Sequence, residues 1–212
     1  MTGRNSLLQP LLKDISACRI CRDRPKYGPP LPHEPRPVCV AESGARILVA
    51  GQAPGTRVHE TGVPFNDASG NRLREWMGVD RETFYDRRRI AIVPMGFCFP
   101  GQDKRGADLP PRRECREQWH DQVFAELKDL QLLLVIGLYA QDYYLGGKAS
   151  RSLTETVERW REFRHADSRH IVYPLPHPSW RNNGWIKKHR WFEAEILPQL
   201  RADIKSALTG IN

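Results

Sequence analysis

The sequence predicts an α/β fold, a three-layer α/β/α sandwich with a central, mainly parallel four-stranded sheet. Three observations carry this. Ile47-Leu48-Val49-Ala50 is a short unbroken apolar run stopped by Gly51, the pattern of a strand buried on both faces of a parallel sheet. Further apolar runs follow at 89–95, 132–137 and 170–175, with helical patterns between them. Strands alternating with helices imply parallel pairing with helices on both faces. At 212 residues the chain suits one domain with a self-sufficient core, and no linker divides it.

Taken in order, residues 5–17 read as a helix with Leu7, Leu8, Leu11, Leu12 and Ile15 on one side, although Pro10 disfavours its early part. Residues 22–44 hold six prolines, Pro25 to Pro37, and read as a covering loop. The first strand is expected over 46–50, then a helix from Ser69 to Met77 ended by Gly78. The second strand is expected over Arg89–Met95, followed by a loop carrying Cys98, and a helix over Arg112–Leu130. Next come a strand over Leu132–Gly137, a helix over Tyr139–Leu145 and a helical stretch over Leu153–Trp160. His170–Leu175 is the fourth strand. A last helix over Lys187–Leu208 spaces Phe192, Ile196, Leu200 and Ile204 four apart, with a kink at Pro198.

A formal charge of +8 favours a polyanionic partner. The first 14 residues lack the apolar run of a signal peptide, and no stretch approaches the roughly 18–20 apolar residues of a membrane span. The expectation is a cytoplasmic monomer with no membrane association. Five cysteines are an odd number, and a reducing compartment argues against a disulfide framework. Cys18 and Cys21 form a CxxC at a helix end, and Cys98 and Cys115 lie in a second region. Four thiolates suit a [4Fe–4S] cluster or a structural zinc ion, and spacing alone does not separate them.

Two stretches carry chemistry. Gly51-Gln52-Ala53-Pro54-Gly55 turns sharply after the first strand, and two glycines let the backbone approach a ligand. Ligands of open α/β sheets bind outside the carboxyl ends of strands, so Gln52 faces the main crevice. Pro64-Phe65-Asn66-Asp67 then supplies an aromatic face, an amide and a carboxylate. The second stretch follows the fourth strand and places His177 beside the same crevice. From His177 to Phe192 it holds no acid, but it has Arg181, Lys187, Lys188 and Arg190 among tryptophans. Basic residues interleaved with aromatics suit phosphate neutralisation with stacking or wedging between bases. Trp191 and Phe192 belong by pattern to the core.

The order G-Q-A-P-G, then G-V-P-F, then H-P-S resembles the uracil-DNA glycosylase superfamily, especially its iron–sulfur branches, over about Cys18 to Leu200. The resemblance implies a DNA glycosylase acting on uracil or another deaminated base. It favours [4Fe–4S] over zinc, on Cys18, Cys21, Cys98 and Cys115, and leaves Cys39 as a spare thiol. The cluster would tie segment 1–44 onto a single domain spanning 1–212. The resemblance also implies a base pocket of Gly51, Gln52, Ala53, Phe65, Asn66 and His177. Ser179, Trp180, Arg181, Asn182, Asn183, Lys187 and Lys188 would contact DNA, with 180–183 as the wedge.

The chain departs from the pattern at two points. Many relatives place an acid at the second or third position of the first motif, here Gln52 and Ala53. One iron–sulfur branch instead has an aspartate just before A-S-G, which matches Asp67 once one residue is deleted from the loop. Asp67, with His177, then becomes the expected catalytic pair, with Gln52 assisting; Glu60 is a poorer candidate on the preceding loop. A helix N-cap is the competing role for Asp67. Relatives that read uracil strictly also carry an asparagine four residues before the third cysteine, and Pro94 stands there instead. The leading expectation is a monofunctional glycosylase, since no motif position holds a Schiff-base lysine. The alternative is a non-catalytic binder of damaged DNA that keeps the fold. A nucleotide hydrolase is a distant third, because the first turn lacks the Lys and Ser/Thr of a P-loop.

Overall fold

The computed structural model describes residues 7–165 and 169–209. Its helices are α1 Leu8–Ser16, α2 Ile20–Asp23, α3 Thr56–Thr61, α4 Ala68–Met77, α5 Arg81–Tyr85, α6 Arg113–Cys115, α7 Asp121–Glu126, α8 Leu138–Leu145, α9 Leu153–Glu158, α10 Trp160–His165, α11 Asn183–Lys188 and α12 Leu197–Leu208. The strands β1 Ile47–Ala50, β2 Ile90–Ile92, β3 Leu132–Ile136 and β4 Ile171–Leu175 form one sheet in the order β2-β1-β3-β4. Every pairing of these strands is parallel.

Alternation along the strands builds the three layers. Ile47, Val49, Ile90, Ile92, Leu132, Leu134 and Tyr173 face one core with Leu73, Trp76, Phe84, Trp160, Phe192 and Ile204. Leu48, Ala50, Ala91, Leu133 and Val135 face the other, with Leu8, Ile15, Val123, Ala140 and Phe163. All four residues of β1 are buried, as the apolar run requires. Leu8 and Ile15 place α1 in the second core, so the N-terminal segment is packed onto the sheet by burial. The start of the expected first helix, residues 5 and 6, lies outside the described residues.

The departures from expectation have local causes. β2 is regular only over Ile90–Ile92, yet its bonds to β1 continue with Val93 N–H to Val49 O (3.0 Å). The backbone then crosses above β1 through Met95 N–H to Gly51 O (2.8 Å) and Gly96 N–H to Gln52 O (2.9 Å). Val40 adds an antiparallel bridge to Ile92 on the outer edge. The expected Arg112–Leu130 helix is interrupted by a π-helical turn over Arg116–His120 and ends at Glu126. The expected Lys187–Leu208 helix is three pieces: α11, a π-helical turn over Phe192–Ile196, and α12 with Pro198 in its first turn. A proline clashes with the carbonyl four residues back, and the wider π turn relieves that clash. Two short helices, α3 and α5, and the separate α10 escape the periodicity reading, being too short to show a face.

Candidate active site and nucleic-acid interface

A crevice opens at the carboxyl ends of β1 and β4. Gly51, Gln52, Ala53, Pro54, Gly55, Phe65, Asp67, Ser69, Pro94, Asp108 and His177 are among its walls, and it encloses about 600 Å³ including its open mouth. Of the residues expected to bind a base, Gly51, Gln52, Ala53, Phe65 and His177 line it. Asn66 does not.

Phe65 is the one described non-glycine residue with positive φ, at 53°. Its neighbours hold it there. The Tyr85 hydroxyl donates to Pro64 O (2.9 Å) and Phe65 O (3.2 Å), and Arg74 Nη1 donates to Phe65 O (3.4 Å). A Cβ on Gly70 would stand 1.7 Å from Phe65 O, so that close approach demands glycine. The ring tip lies 3.3 Å from where a Gly51 Cβ would be, and the ring meets Phe84 edge-on at 6.1 Å. Phe65 therefore forms the lid of the first turn as well as a wall of the crevice.

Asp67 has both of its expected placements. Its Oδ1 accepts from Gly70 N–H at 2.9 Å, capping α4, and its side chain lines the crevice. Capping fixes the carboxylate without consuming both oxygens. Arg72, one turn along α4, donates to Ser179 O at 3.0 Å and ties that helix to the His177 loop. Asn182 Nδ2 donates to His177 O at 2.7 Å from the other side. Burial pulls the His177 pKa below its ordinary value, against the carboxylates of Asp67 and Asp108. The ring is neutral at pH 7, with one N–H to donate.

Asp108 was not foreseen. It stands in a polar loop with no motif, and only its place after the carboxyl end of β2 could have marked it. The loop is a built hairpin. Gln102 and Asp108 form an antiparallel bridge, Leu109 N–H reaches Gly101 O (2.9 Å), and Asp103 Oδ1 accepts from Arg105 and Ala107 N–H (2.8 and 2.9 Å). Gln52 Nε2 donates across to Leu109 O at 3.4 Å, joining this hairpin to the first turn.

Beyond His177, Trp180 projects with 72% of its surface exposed, in a 3₁₀ turn over Trp180–Asn182. Arg181, Asn183, Lys187 and Lys188 are exposed around it; Ser179 and Asn182 are half-buried and spend polar groups on holding the loop. Trp185, Trp191 and Phe192 turn inward and pack on the first core, as expected for the last two.

A sequence profile described as the uracil DNA glycosylase superfamily matches residues 39–201, more than three-quarters of the chain. The chain belongs to the uracil DNA glycosylase superfamily. The matched span holds the whole sheet and all of the described crevice lining except Val38. Among solved structures, the chain is similar to a solution NMR structure of a Methanosarcina acetivorans protein provisionally assigned as a uracil DNA glycosylase. The two share 14% identity, with 77% of this chain and 94% of that one covered, at a TM-score of 0.44.

This superfamily member brings four cysteines together at the far side of β2. Cys18, Cys21, Cys98 and Cys115 line one small cavity with Pro35, Pro37 and Phe97. The residues flanking Cys115 grip the CxxC loop: Arg112 donates to Cys21 O (3.2 Å) and Tyr27 O (3.0 Å), and Glu114 Oε1 accepts from Lys26 and Tyr27 N–H (3.0 and 3.1 Å). Phe97 N–H approaches Cys115 Sγ at 3.4 Å. Among the described residues no group of three or more His, Cys, Asp or Glu side chains is arranged to hold a metal ion. One tetrahedral ion with metal–sulfur bonds of about 2.3 Å needs its thiolates nearly in contact, whereas a cluster gives each thiolate its own iron. Four thiols lining one cavity are a donor set that suits either group, and Cys21 and Cys115 are close enough to interact directly. Cys39 stands apart as expected, and burial pushes its thiol up to about 12. No described helix is long and apolar enough to cross a membrane.

Proposed function

We propose that the protein is a monofunctional DNA glycosylase that hydrolyses the N-glycosidic bond of uracil or another deaminated base. The observation that carries this is the meeting of Phe65, Asp67 and His177 in one crevice at the carboxyl ends of the strands. An enzyme acting on a base must extrude the nucleotide from the stack. The exposed Trp180 enters the space vacated, and Arg181, Lys187 and Lys188 neutralise flanking phosphates. The extruded ring stacks on Phe65. As the glycosidic bond breaks, its electron pair leaves with the base and positive charge grows on the sugar. Asp67, held through Gly70, stabilises that charge and takes the proton of the attacking water. His177 donates its N–H to the base as negative charge builds there, and Gln52 helps orient ring and water. No lysine lines the crevice, so base release proceeds without a Schiff base.

Cys18, Cys21, Cys98 and Cys115 would hold a [4Fe–4S] cluster, whose iron–thiolate bonds would pin the N-terminal segment to the glycosylase core. The cap that Asp67 provides for α4 favours a second reading, a damaged-DNA binder in which this carboxylate is purely structural. Single-turnover excision decides between them, using uracil, hypoxanthine and xanthine in single- and double-stranded oligonucleotides. Asp67→Asn keeps the size and most of the capping, so it is expected to slow base release about 10²- to 10⁴-fold with DNA binding retained. Normal excision by Asp67→Asn removes it from the chemistry. Tight binding with no excision by the wild-type protein establishes the binder.

A further inference from the structure

We propose that Asp108 is a specificity residue that accepts a hydrogen bond from the ring N–H that deamination creates on a base. This rests on the glycosylase reading above and names what its crevice selects. In cytosine the ring N3 is a bare acceptor; replacing the 4-amino group by a carbonyl puts a hydrogen on N3. Adenine becomes hypoxanthine in the same way, gaining a hydrogen at N1. An acceptor-only group set at that ring nitrogen, and not at the neighbouring amino group that the parents carry, distinguishes both products from their parents, and a carboxylate is such a group. Thymine and guanine already carry the equivalent N–H, so other walls must exclude them.

The placement of Asp108 supports the role. It lines the crevice with Asp67 and His177, near enough for its charge to act on the histidine. Its Oδ1 is held by Gln102 Nε2 at 3.1 Å, and its Oδ2 lies 3.6 Å from where a Gly55 Cβ would stand, beside the first turn. The hairpin bonds and the Gln52–Leu109 link make this a fixed presentation. Gln52, whose amide N–H goes to Leu109 O, lines the same crevice. Pro94, at the place where an asparagine would read uracil, offers no side-chain partner, which leaves this edge to other groups.

The test uses oligonucleotides carrying 2′-fluoroarabino-uridine or 2′-fluoroarabino-cytidine, whose glycosidic bonds resist cleavage, so binding is read without turnover. The wild-type protein should prefer the uridine probe. Asp108→Asn keeps an acceptor oxygen but adds a rotatable amide donor that can serve cytosine N3, so cytidine affinity should rise and the preference should shrink by about 5- to 150-fold. Asp108→Ala, which frees Gln102 but adds no donor, should lose uridine affinity without gaining cytidine affinity. An unchanged uridine-to-cytidine ratio in both variants overturns the proposal, as does a wild-type protein with no preference. Excision measured alongside separates the two readings: a protein that discriminates by Asp108 but releases no base retains this inference and loses the glycosylase one.

Discussion

The crevice depends on a single backbone position that its neighbours hold under strain. A non-glycine residue at φ 53° costs of order 1–3 kcal/mol, and Phe65 keeps it because Gly70, Arg74 and Tyr85 leave its carbonyl no other place. The strain aims an aromatic face across Gly51. Such strain at a site of extrusion is consistent with a surface prepared for a planar ligand. Phe65→Ala retains the same backbone, so the loss of stability should be limited to a half-buried ring, about 1–2 kcal/mol by thermal melting. Affinity for an oligonucleotide with an extruded base should fall by the stacking contribution, about 1–3 kcal/mol. Unchanged affinity in a fluorescence anisotropy titration would show that the ring serves only the core.

Among the elements, the 3₁₀ turn and α11 form the proposed DNA-facing segment, and their basic side chains are exposed while their tryptophans divide between solvent and core. Replacing Arg181, Lys187 and Lys188 together by alanine should lower the slope of log affinity against log salt by about 2 to 3, at 0.7 to 0.9 per phosphate contact. An unchanged slope moves the binding face elsewhere. Legibility in the sequence followed the physics of each element. β1 and β3 were readable because strands buried on both faces are continuous apolar runs. β2 was overextended because Val93 and Met95 pack on the second core and still bond to β1, at Val49 O and Gly51 O, beyond the regular strand. The breaks in the long helices were hidden because a π turn keeps nearly the same apolar face. Asp67 and His177 could be placed from motif order together with the strand-end rule. Asp108 could not, since its position comes from a hairpin of polar residues with no periodicity, and Asn66 was carried inward by proximity to Phe65 in the chain alone.

For the whole molecule, the question is what joins the N-terminal segment to the sheet. Two attachments exist without any metal: α1 buries Leu8 and Ile15 in the second core, and Arg112 and Glu114 hold the loop after Cys21. Cys98 and Cys115 belong to the part matched by the superfamily profile, whereas Cys18 and Cys21 precede it. A cluster on these four residues would therefore join an added segment to an inherited domain. Protein purified without oxygen should contain about four irons per chain and absorb broadly in the visible. Removing the iron by oxidation and chelation should expose the segment before 44 to proteolysis first. The sheet, with cores of its own on both faces, should still melt cooperatively. Cys98→Ala should lose the iron and show the same protease sensitivity. Stoichiometric zinc with no iron would assign the four thiols to a different metal, and an iron-free protein whose first 44 residues resist protease equally well would leave the attachment to α1 and Arg112 alone.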